Sequence, residues 1–128
     1  MFNGTNGTAF DYYPRLKRLR EYVEQNYSEP IPLEKAASVV ALESSYFSSY
    51  FRAKVGITFT DWLCRVRLKK AMELMKSSDF SITEIAYAVG FVDLGTCGRA
   101  FKKHTRMTPK EFKKSVRPDG HLPISYPN

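Results

Sequence analysis

Residues 82–103 have the sequence ITEIAYAVGFVDLGTCGRAFKK, and residues 33–54 have the sequence LEKAASVVALESSYFSSYFRAK. In each stretch, a short segment with apolar residues at helical spacing is followed by a tight turn and a second segment of the same kind. When one extra residue is allowed in the second turn, Phe51 aligns with Phe101. The sequence therefore predicts the same unit, two helices joined by a turn, at two places in the chain.

The rest of the chain is also predicted to be helical. Hydroxyl residues followed three positions later by an acid begin helices at Thr58, Ser81 and Thr108, Asp93 caps another helix, and Gly56 ends one in a left-handed conformation. No strand pattern is found, and we predict an all-α fold of seven helices with two helix-turn-helix subdomains joined by a long linker helix. The predicted parts are a flexible leader or linker (1–12), a first helix-turn-helix subdomain (13–57), the linker helix (58–76), a second helix-turn-helix subdomain (77–117) and a flexible tail (118–128).

Composition and charge suggest a polyanionic partner. The chain has 128 residues, 43% of them hydrophobic, which is enough for a packed core, and its net charge is +7. The basic excess lies in the second half, where residues 95–117 contain eight Lys and Arg residues against one acid, Glu111. Such a stretch favours nucleic acid as the partner, with a solvated basic surface as the alternative.

Several classes of function are excluded by what the sequence lacks. Cys64 and Cys97 have no His at metal-ligand spacing, so neither a zinc site nor a disulfide framework is predicted. The sequence contains no paired carboxylates, no Ser/His/Asp arrangement and no Gly-rich phosphate loop, so we expect no enzyme activity and no cofactor. It has neither a signal sequence nor a run of 18 apolar residues; we therefore expect a cytoplasmic protein with no membrane partner.

The repeated unit predicts a mechanism of DNA binding. In a helix-turn-helix motif the second helix enters the major groove, while the first crosses the phosphate backbone. The predicted linker helix, 58–76, has 19 residues and would be about 28 Å long, whereas one turn of B-DNA is roughly 34 Å. We therefore expect the two recognition helices to reach successive major-groove segments on one side of a duplex. A single chain would then bind an asymmetric site.

The stretch from Leu16 to Arg117 resembles the DNA-binding domain of the AraC/XylS family of bacterial transcription regulators. The resemblance is strongest over RLKKAMELMKSSDFSITEIAYAVGFVD and RAFKKHTRMTPKEFKK in the second half. It implies binding to double-stranded DNA and transcription regulation, with activation through RNA polymerase favoured over repression. Many relatives carry an upstream sensor or dimerisation domain, but stand-alone regulators also occur in the family, and both alternatives stay open here.

The resemblance also implies which residues contact DNA in the first motif. Carried over by position, the base-reading side chains are Ser44, Ser45, Ser48, Ser49 and Arg52. The hydroxyls would lie in the groove, where they can donate to or accept from either kind of base, and the arginine would bind guanine or a phosphate. We expect the aromatic residues of the same helix to anchor it on the core; these are Tyr46, Phe47, Tyr50 and Phe51.

The second recognition helix departs from the family pattern. Gly95 and Gly98 stand where relatives carry larger side chains, and Arg106 replaces the usual glycine before the last helix, so the preceding helix is expected to end in some other way. The residues expected to bind DNA are Thr96 and Arg99 at base edges, and Arg99, Lys102 and Lys103 at phosphates. Because the glycines offer no base-reading side chain, the alternative is a helical protein-interaction module with a degenerate DNA-reading helix.

Other residues have two interpretations each. Trp62 is interpreted as part of the core rather than as a platform for a base, and Cys97 as a buried filler rather than as a redox sensor. His104 is interpreted as a helix-end residue or a phosphate contact, and not as a catalyst. The lysines of the last helix could equally contact phosphates or form a solvated surface; they are Lys110, Lys113 and Lys114.

Overall fold

The computed structural model describes residues 6–117, which form α-helices and connecting turns without a strand. The helices are α1 (Ala9–Tyr12), α2 (Pro14–Asn26), α3 (Leu33–Val39), α4 (Ser44–Val55), α5 (Phe59–Ser77), α6 (Ile82–Ala88), α7 (Leu94–Thr105) and α8 (Pro109–Val116). The all-α prediction is confirmed, and the linker helix lies within one residue of its predicted bounds. None of these helices is long and apolar enough to cross a membrane. The predicted tail, 118–128, lies outside the described residues.

The chain divides into two compact units within α5, between Arg65 and Val66. Unit 1 therefore contains α1 to α4 and the first part of α5, and unit 2 contains the rest of α5 and α6 to α8. Each unit contains one helix–turn–helix pair, α3 and α4 in unit 1 and α6 and α7 in unit 2. The long helix contributes to both cores instead of forming a part of its own.

The core of unit 1 is built around one stripe of α4. Phe47, Phe51 and Val55 are completely buried, and their spacing of four residues places them above one another on the helix. The Phe51 ring packs edge-on against the rings of Phe10 and Phe59, with centroids 6.0 and 5.7 Å away. This aromatic packing fixes the orientation of α4 and leaves its opposite side free.

Helix α1 was not predicted. Residues 1–12 were expected to be flexible, but residues 9–12 form a helix, which makes eight helices in the described range instead of seven. The Phe10 side chain is only 4% exposed, and its ring stacks on that of Trp62 with centroids 4.8 Å apart. The Asn6 N–H donates to the Val55 carbonyl over 2.7 Å. One buried aromatic ring thus orders a segment whose Gly, Asn and Thr composition suggested a linker. Trp62 is half-buried, and its ring packs on the aromatic core without being enclosed by it.

The core of unit 2 also forms around the second helix of its pair, α7, but it contains fewer aromatic side chains than the core of unit 1. Phe101 of α7 is completely buried and packs against Phe112 of α8, with ring centroids 5.8 Å apart. Cys97 is also completely buried, which agrees with the filler interpretation. The predicted capping boxes are confirmed at Ser81 for α6 and at Thr108 for α8, where each hydroxyl accepts the N–H of the glutamate three residues later.

The turn inside each helix pair has the same backbone geometry. Ala41 and Gly90 occupy equivalent positions and both have positive φ, 57° and 104°. In unit 1 the Leu42 N–H donates to the Ala37 carbonyl over 3.0 Å, and in unit 2 the equivalent bond joins Phe91 N–H to the Ala86 carbonyl over 3.0 Å. These bonds define a Schellman motif in each unit. The sequence repeat is therefore also a structural repeat.

The end of α7 corrects a prediction. We expected Arg106 to end the helix differently from the usual glycine, yet its φ is 64° and its N–H donates to the Lys102 carbonyl over 3.0 Å. Gly56 ends α4 in the same way, with φ 99° and a 2.9 Å bond to the Arg52 carbonyl. An arginine thus adopts the left-handed conformation that glycine adopts in unit 1.

Candidate nucleic-acid interface

The predicted DNA-binding residues of unit 1 lie on the part of α4 that is not used for the core. Ser45, Ser49 and Arg52 are exposed, while Ser44 and Ser48 are half-buried. Positions 45, 49 and 52 are separated by four and three residues and therefore share a helix face. The structure brings this predicted set together on one helix, and none of its members lies in the core.

A shallow depression adjoins the second turn of this face. Ser48, Ser49 and Arg52 line it from α4, and Thr58 and Thr60 line it from the beginning of α5. Leu33 and Phe59 complete the lining. The sequence identified Thr58 only as a helix cap, a role confirmed by the 3.1 Å bond from the Asp61 N–H to its hydroxyl oxygen. Thr60 was missed because its proximity to α4 depends on the packing of α5.

An acidic residue that was not predicted as part of the site lies at the beginning of α4. Glu43 caps the helix by accepting the Tyr46 N–H over 3.1 Å, and the Ser45 hydroxyl donates to the same carboxylate oxygen over 2.7 Å. The pKa of Glu43 is lowered, first by the Ser45 hydroxyl and then by the backbone N–H groups of Tyr46 and Ser45. The carboxylate is therefore ionised at neutral pH. While this bond is made, the Ser45 oxygen can only accept hydrogen bonds.

The tyrosines of α4 correct another prediction. Tyr46 was expected to anchor the helix on the core, but it is 58% exposed, and Tyr50 is half-buried. Their ring centroids are 6.2 Å apart, and the Lys54 ammonium lies 5.0 Å from the centroid of the Tyr13 ring beside them. The periodicity of α4 contains two aromatic stripes, and only the phenylalanine stripe is buried. Tyrosine suits the edge because its hydroxyl can remain in water.

In unit 2, the predicted residues lie along α7. Arg99, Lys102 and Lys103 are exposed, and Thr96 is half-buried. Asp93 caps the helix as predicted, because its carboxylate accepts the Thr96 N–H over 2.7 Å. Basic side chains therefore occupy the middle and the last turn of α7, where cations are also favoured by the helix dipole.

The caps of unit 2 carry negative charge close to this basic surface. Hydrogen bonds from the Thr96 backbone and hydroxyl lower the pKa of Asp93, and the charge of Arg99 adds to the effect. The backbone N–H of Thr108 lowers the pKa of Glu111, followed by the charge of Lys102. Arg99 and Lys102 thus each have an ionised carboxylate nearby.

Two cations of the basic stretch have structural roles instead of facing a partner. Arg117 is buried, and its guanidinium donates to the Ser78 carbonyl and to the Asp79 carboxylate. The Lys113 ammonium donates to the Phe80 carbonyl over 3.2 Å. Both side chains join the end of α8 to the segment before α6. The charge count of residues 95–117 therefore overstated the surface available to a polyanion.

Within residues 6–117, no group of three or more His, Cys, Asp and Glu side chains is arranged to hold a metal ion. Within the same residues, Cys64 and Cys97 are not joined by a disulfide bond. The arrangement provides hydroxyls, guanidinium groups and ammonium groups on two exposed helix faces, one in each unit. These groups can donate hydrogen bonds to phosphates and to base edges.

Comparison with known proteins agrees with this geometry. Residues 36–115 match a family model described as a helix-turn-helix domain. The regulatory protein PocR of Salmonella typhimurium is 32% identical over 109 residues, which cover 85% of this chain and 36% of PocR. The transcriptional activator RhaS of an Enterobacter species is 30% identical over 100 residues, 78% of this chain and 36% of RhaS. The chain thus spans about a third of the length of these relatives.

Solved structures show the same fold. The C-terminal domain of AraT, a response regulator from Geobacillus stearothermophilus, is 27% identical and superposes with a TM-score of 0.78. The match covers 91% of this chain and 93% of that one. The DNA-binding domain of AdpA, solved in complex with a target DNA, has a TM-score of 0.74 over 80% of this chain and 96% of that one. Because the two sequences are only 22% identical, this match supports the fold alone. The family consists of DNA-binding regulators and not of enzymes. On this evidence the chain belongs to the AraC/XylS family of helix-turn-helix transcription regulators.

Proposed function

We propose that this protein binds double-stranded DNA with both motifs at once, α4 and α7 entering successive major-groove segments of one duplex, and that it activates transcription. One observation carries the proposal. The two units repeat the same turn geometry, and in each unit the second helix leaves hydroxyl or basic side chains unburied on the face away from the core.

The two helices would contribute differently to binding. The serine face of α4, with Arg52 at its end, offers many weak donors and acceptors to base edges, whereas α7 offers mostly cations. Hydroxyls discriminate weakly between bases, and phosphate contacts carry no direct sequence information. We therefore propose that α4 sets most of the sequence preference, with DNA shape contributing as well, and that α7 supplies much of the salt-dependent affinity.

The relatives support the activating role and the further partners that we propose. RhaS is named a transcriptional activator, and an activator would contact RNA polymerase when it is bound to a promoter. An upstream sensor or dimerisation domain is a second proposed partner, because the matched relatives are about three times as long as the matched part. Such a protein would act in the cytoplasm, together with bacterial DNA.

A pair of substitutions tests the different contributions of α4 and α7 to DNA binding. Arg52→Ala should weaken binding and broaden the sequence preference, because a donor to guanine or to a phosphate beside the bases is lost. Lys102→Ala should weaken binding to all duplexes equally and reduce the slope of log affinity against log salt by about one unit. Selection from random duplexes, followed by gel-shift titration at several salt concentrations, measures both effects.

Lys17→Ala is the matched control, since it removes one exposed positive charge from α2, outside both motifs. It should leave the selected sequence and the salt slope nearly unchanged. If neither Arg52→Ala nor Lys102→Ala differs from this control, the assignment of the two helix faces is wrong. If the unaltered protein enriches no sequence and its binding does not depend on salt, the proposal of a DNA-binding regulator is rejected in favour of a protein-interaction module.

A further inference from the structure

The side chain of Arg99 is held against the beginning of α7. Its Nη2 donates to the Thr96 hydroxyl oxygen over 3.3 Å. Thr96 in turn is held by the helix cap, because its N–H donates to the Asp93 carboxylate over 2.7 Å. The arginine is exposed, yet it has a defined partner on its own helix, one turn towards the N-terminus.

Gly95 provides the space for this arrangement. A Cβ added at Gly95 would lie 3.3 Å from Nη1 of Arg99 and 3.5 Å from a carboxylate oxygen of Asp93. The first distance is tighter than ordinary van der Waals contact, so the guanidinium would have to shift by a few tenths of an ångström. A Cβ added at Gly98 would meet no atom within 4 Å. The two interior glycines of α7 therefore differ, and only the first affects the arginine.

We propose that Gly95 and Thr96 are positioning residues for Arg99, which they orient along the first turn of α7 so that its guanidinium can bind one base pair bidentately. Thr96 thereby acts through the arginine and not by contacting a base itself. A glycine at position 95 weakens the helix, but it leaves the guanidinium in place, whereas a Cβ there would shift it. This inference rests on the proposed DNA binding by α7.

Orientation in advance of binding matters for an arginine. Bidentate binding to the two acceptors of guanine requires the planar guanidinium to lie at a fixed place and angle. A free side chain of this length loses rotamer freedom when it is fixed, and that loss opposes binding. The acceptor on the preceding turn favours one conformation of the arginine before DNA arrives, and the empty position at Gly95 leaves room for that conformation.

The test measures base preference one position at a time. Arg99→Ala first identifies the base pair that depends on Arg99, where we expect the preference to fall by about tenfold. Gly95→Ala and Thr96→Val should each reduce the preference at that same base pair, by about threefold or more, and leave other positions unchanged. Gly98→Ala is the matched control and should not alter the preference at the Arg99 position. Both glycine substitutions should raise the unfolding temperature, because alanine favours the helix.

A double substitution separates positioning from a direct clash with DNA. In an Arg99→Ala background, Gly95→Ala should cause no additional loss at that base pair. An additional loss of the same size would mean that the methyl group itself meets the DNA, and the positioning role would be rejected. Unchanged preference in both Gly95→Ala and Thr96→Val would reject it too. If Arg99→Ala changes no base preference, the proposed base contact by α7 fails, which is a different outcome.

Discussion

Left-handed backbone conformations at residues with side chains are the clearest single-residue strain in this chain. Within residues 6–117, the non-glycine residues with positive φ are Ala41 and Arg106. Each ends a helix at a position where the other unit has glycine, Gly90 and Gly56 respectively. For an L-residue this conformation costs about 1–2 kcal/mol. Each unit therefore has one left-handed helix end at glycine and one at a residue with a side chain, and the strained end is a different one in the two units.

The strain at the end of α7 can be measured. Arg106→Gly should increase the free energy of unfolding by about 1 kcal/mol, since relief of the left-handed penalty outweighs the greater freedom of glycine in the unfolded chain. Denaturant unfolding measures the change. Arg106→Ala removes the same charge but keeps the strain, and it should not be more stable than the native chain. Equal stabilisation by both substitutions would mean that charge, and not backbone strain, is responsible.

Local chemistry explains which residue roles could be predicted. Ser81, Thr108 and Asp93 cap helices as the sequence indicated, because a capping side chain and the N–H groups it binds are close in sequence. The exposure of Tyr46 and the contribution of Thr60 to the depression depend on contacts between helices, and helical periodicity alone does not contain them. The candidate interface was therefore predictable as a helix face but not in its surroundings.

At the scale of elements, α1 stabilises unit 1 mainly through Phe10. Replacing this buried ring by a small side chain removes its packing against Phe51 and Trp62 and leaves a cavity. Phe10→Ala should lower the free energy of unfolding by about 3 kcal/mol. Tyr12→Ala, at a side chain that is 76% exposed in the same helix, should change it by less than about 0.5 kcal/mol. Similar small effects of both substitutions would show that α1 does not belong to the core.

The cap of α7 predicts a dependence of stability on pH. The pKa of Asp93 lies below its ordinary value of 3.8 because the ionised carboxylate accepts hydrogen bonds from Thr96. Its contribution to stability is therefore complete above pH 3.8 and is lost as the pH falls through the lower pKa of the folded state. Asparagine also caps helices but does not titrate.

Asp93→Asn should consequently be less stable than the native chain near neutral pH, and the difference should shrink as the pH falls below about 4. Thermal unfolding of both proteins across this range measures the difference. Glu43 and Glu111 also have lowered pKa values, but both proteins contain them, so their contributions to the pH dependence of stability cancel in the difference. A difference that stays constant or grows on acidification would contradict the role of the ionised cap.

At the scale of the whole molecule, the repeated unit is the feature that the sequence predicted most completely. The offset between equivalent residues, the turn inside each pair and the long helix joining the pairs all follow from patterns within each unit. The additional helix did not follow, since one phenylalanine in a polar segment gives no periodic signal. The shared use of α5 by both cores was also missed, because a helix pattern does not indicate how its length is divided between units.

The central claim is that both motifs bind the same duplex. Hydroxyl-radical footprinting on a selected site tests it directly. We expect two protected segments centred about one helical turn, roughly 10 base pairs, apart in a sequence without a palindrome. Arg52→Ala should weaken protection of one segment, and the combined Arg99→Ala and Lys102→Ala substitutions should weaken the other. A single protected segment, or a palindromic site protected only at concentrations that form a dimer, would contradict the claim.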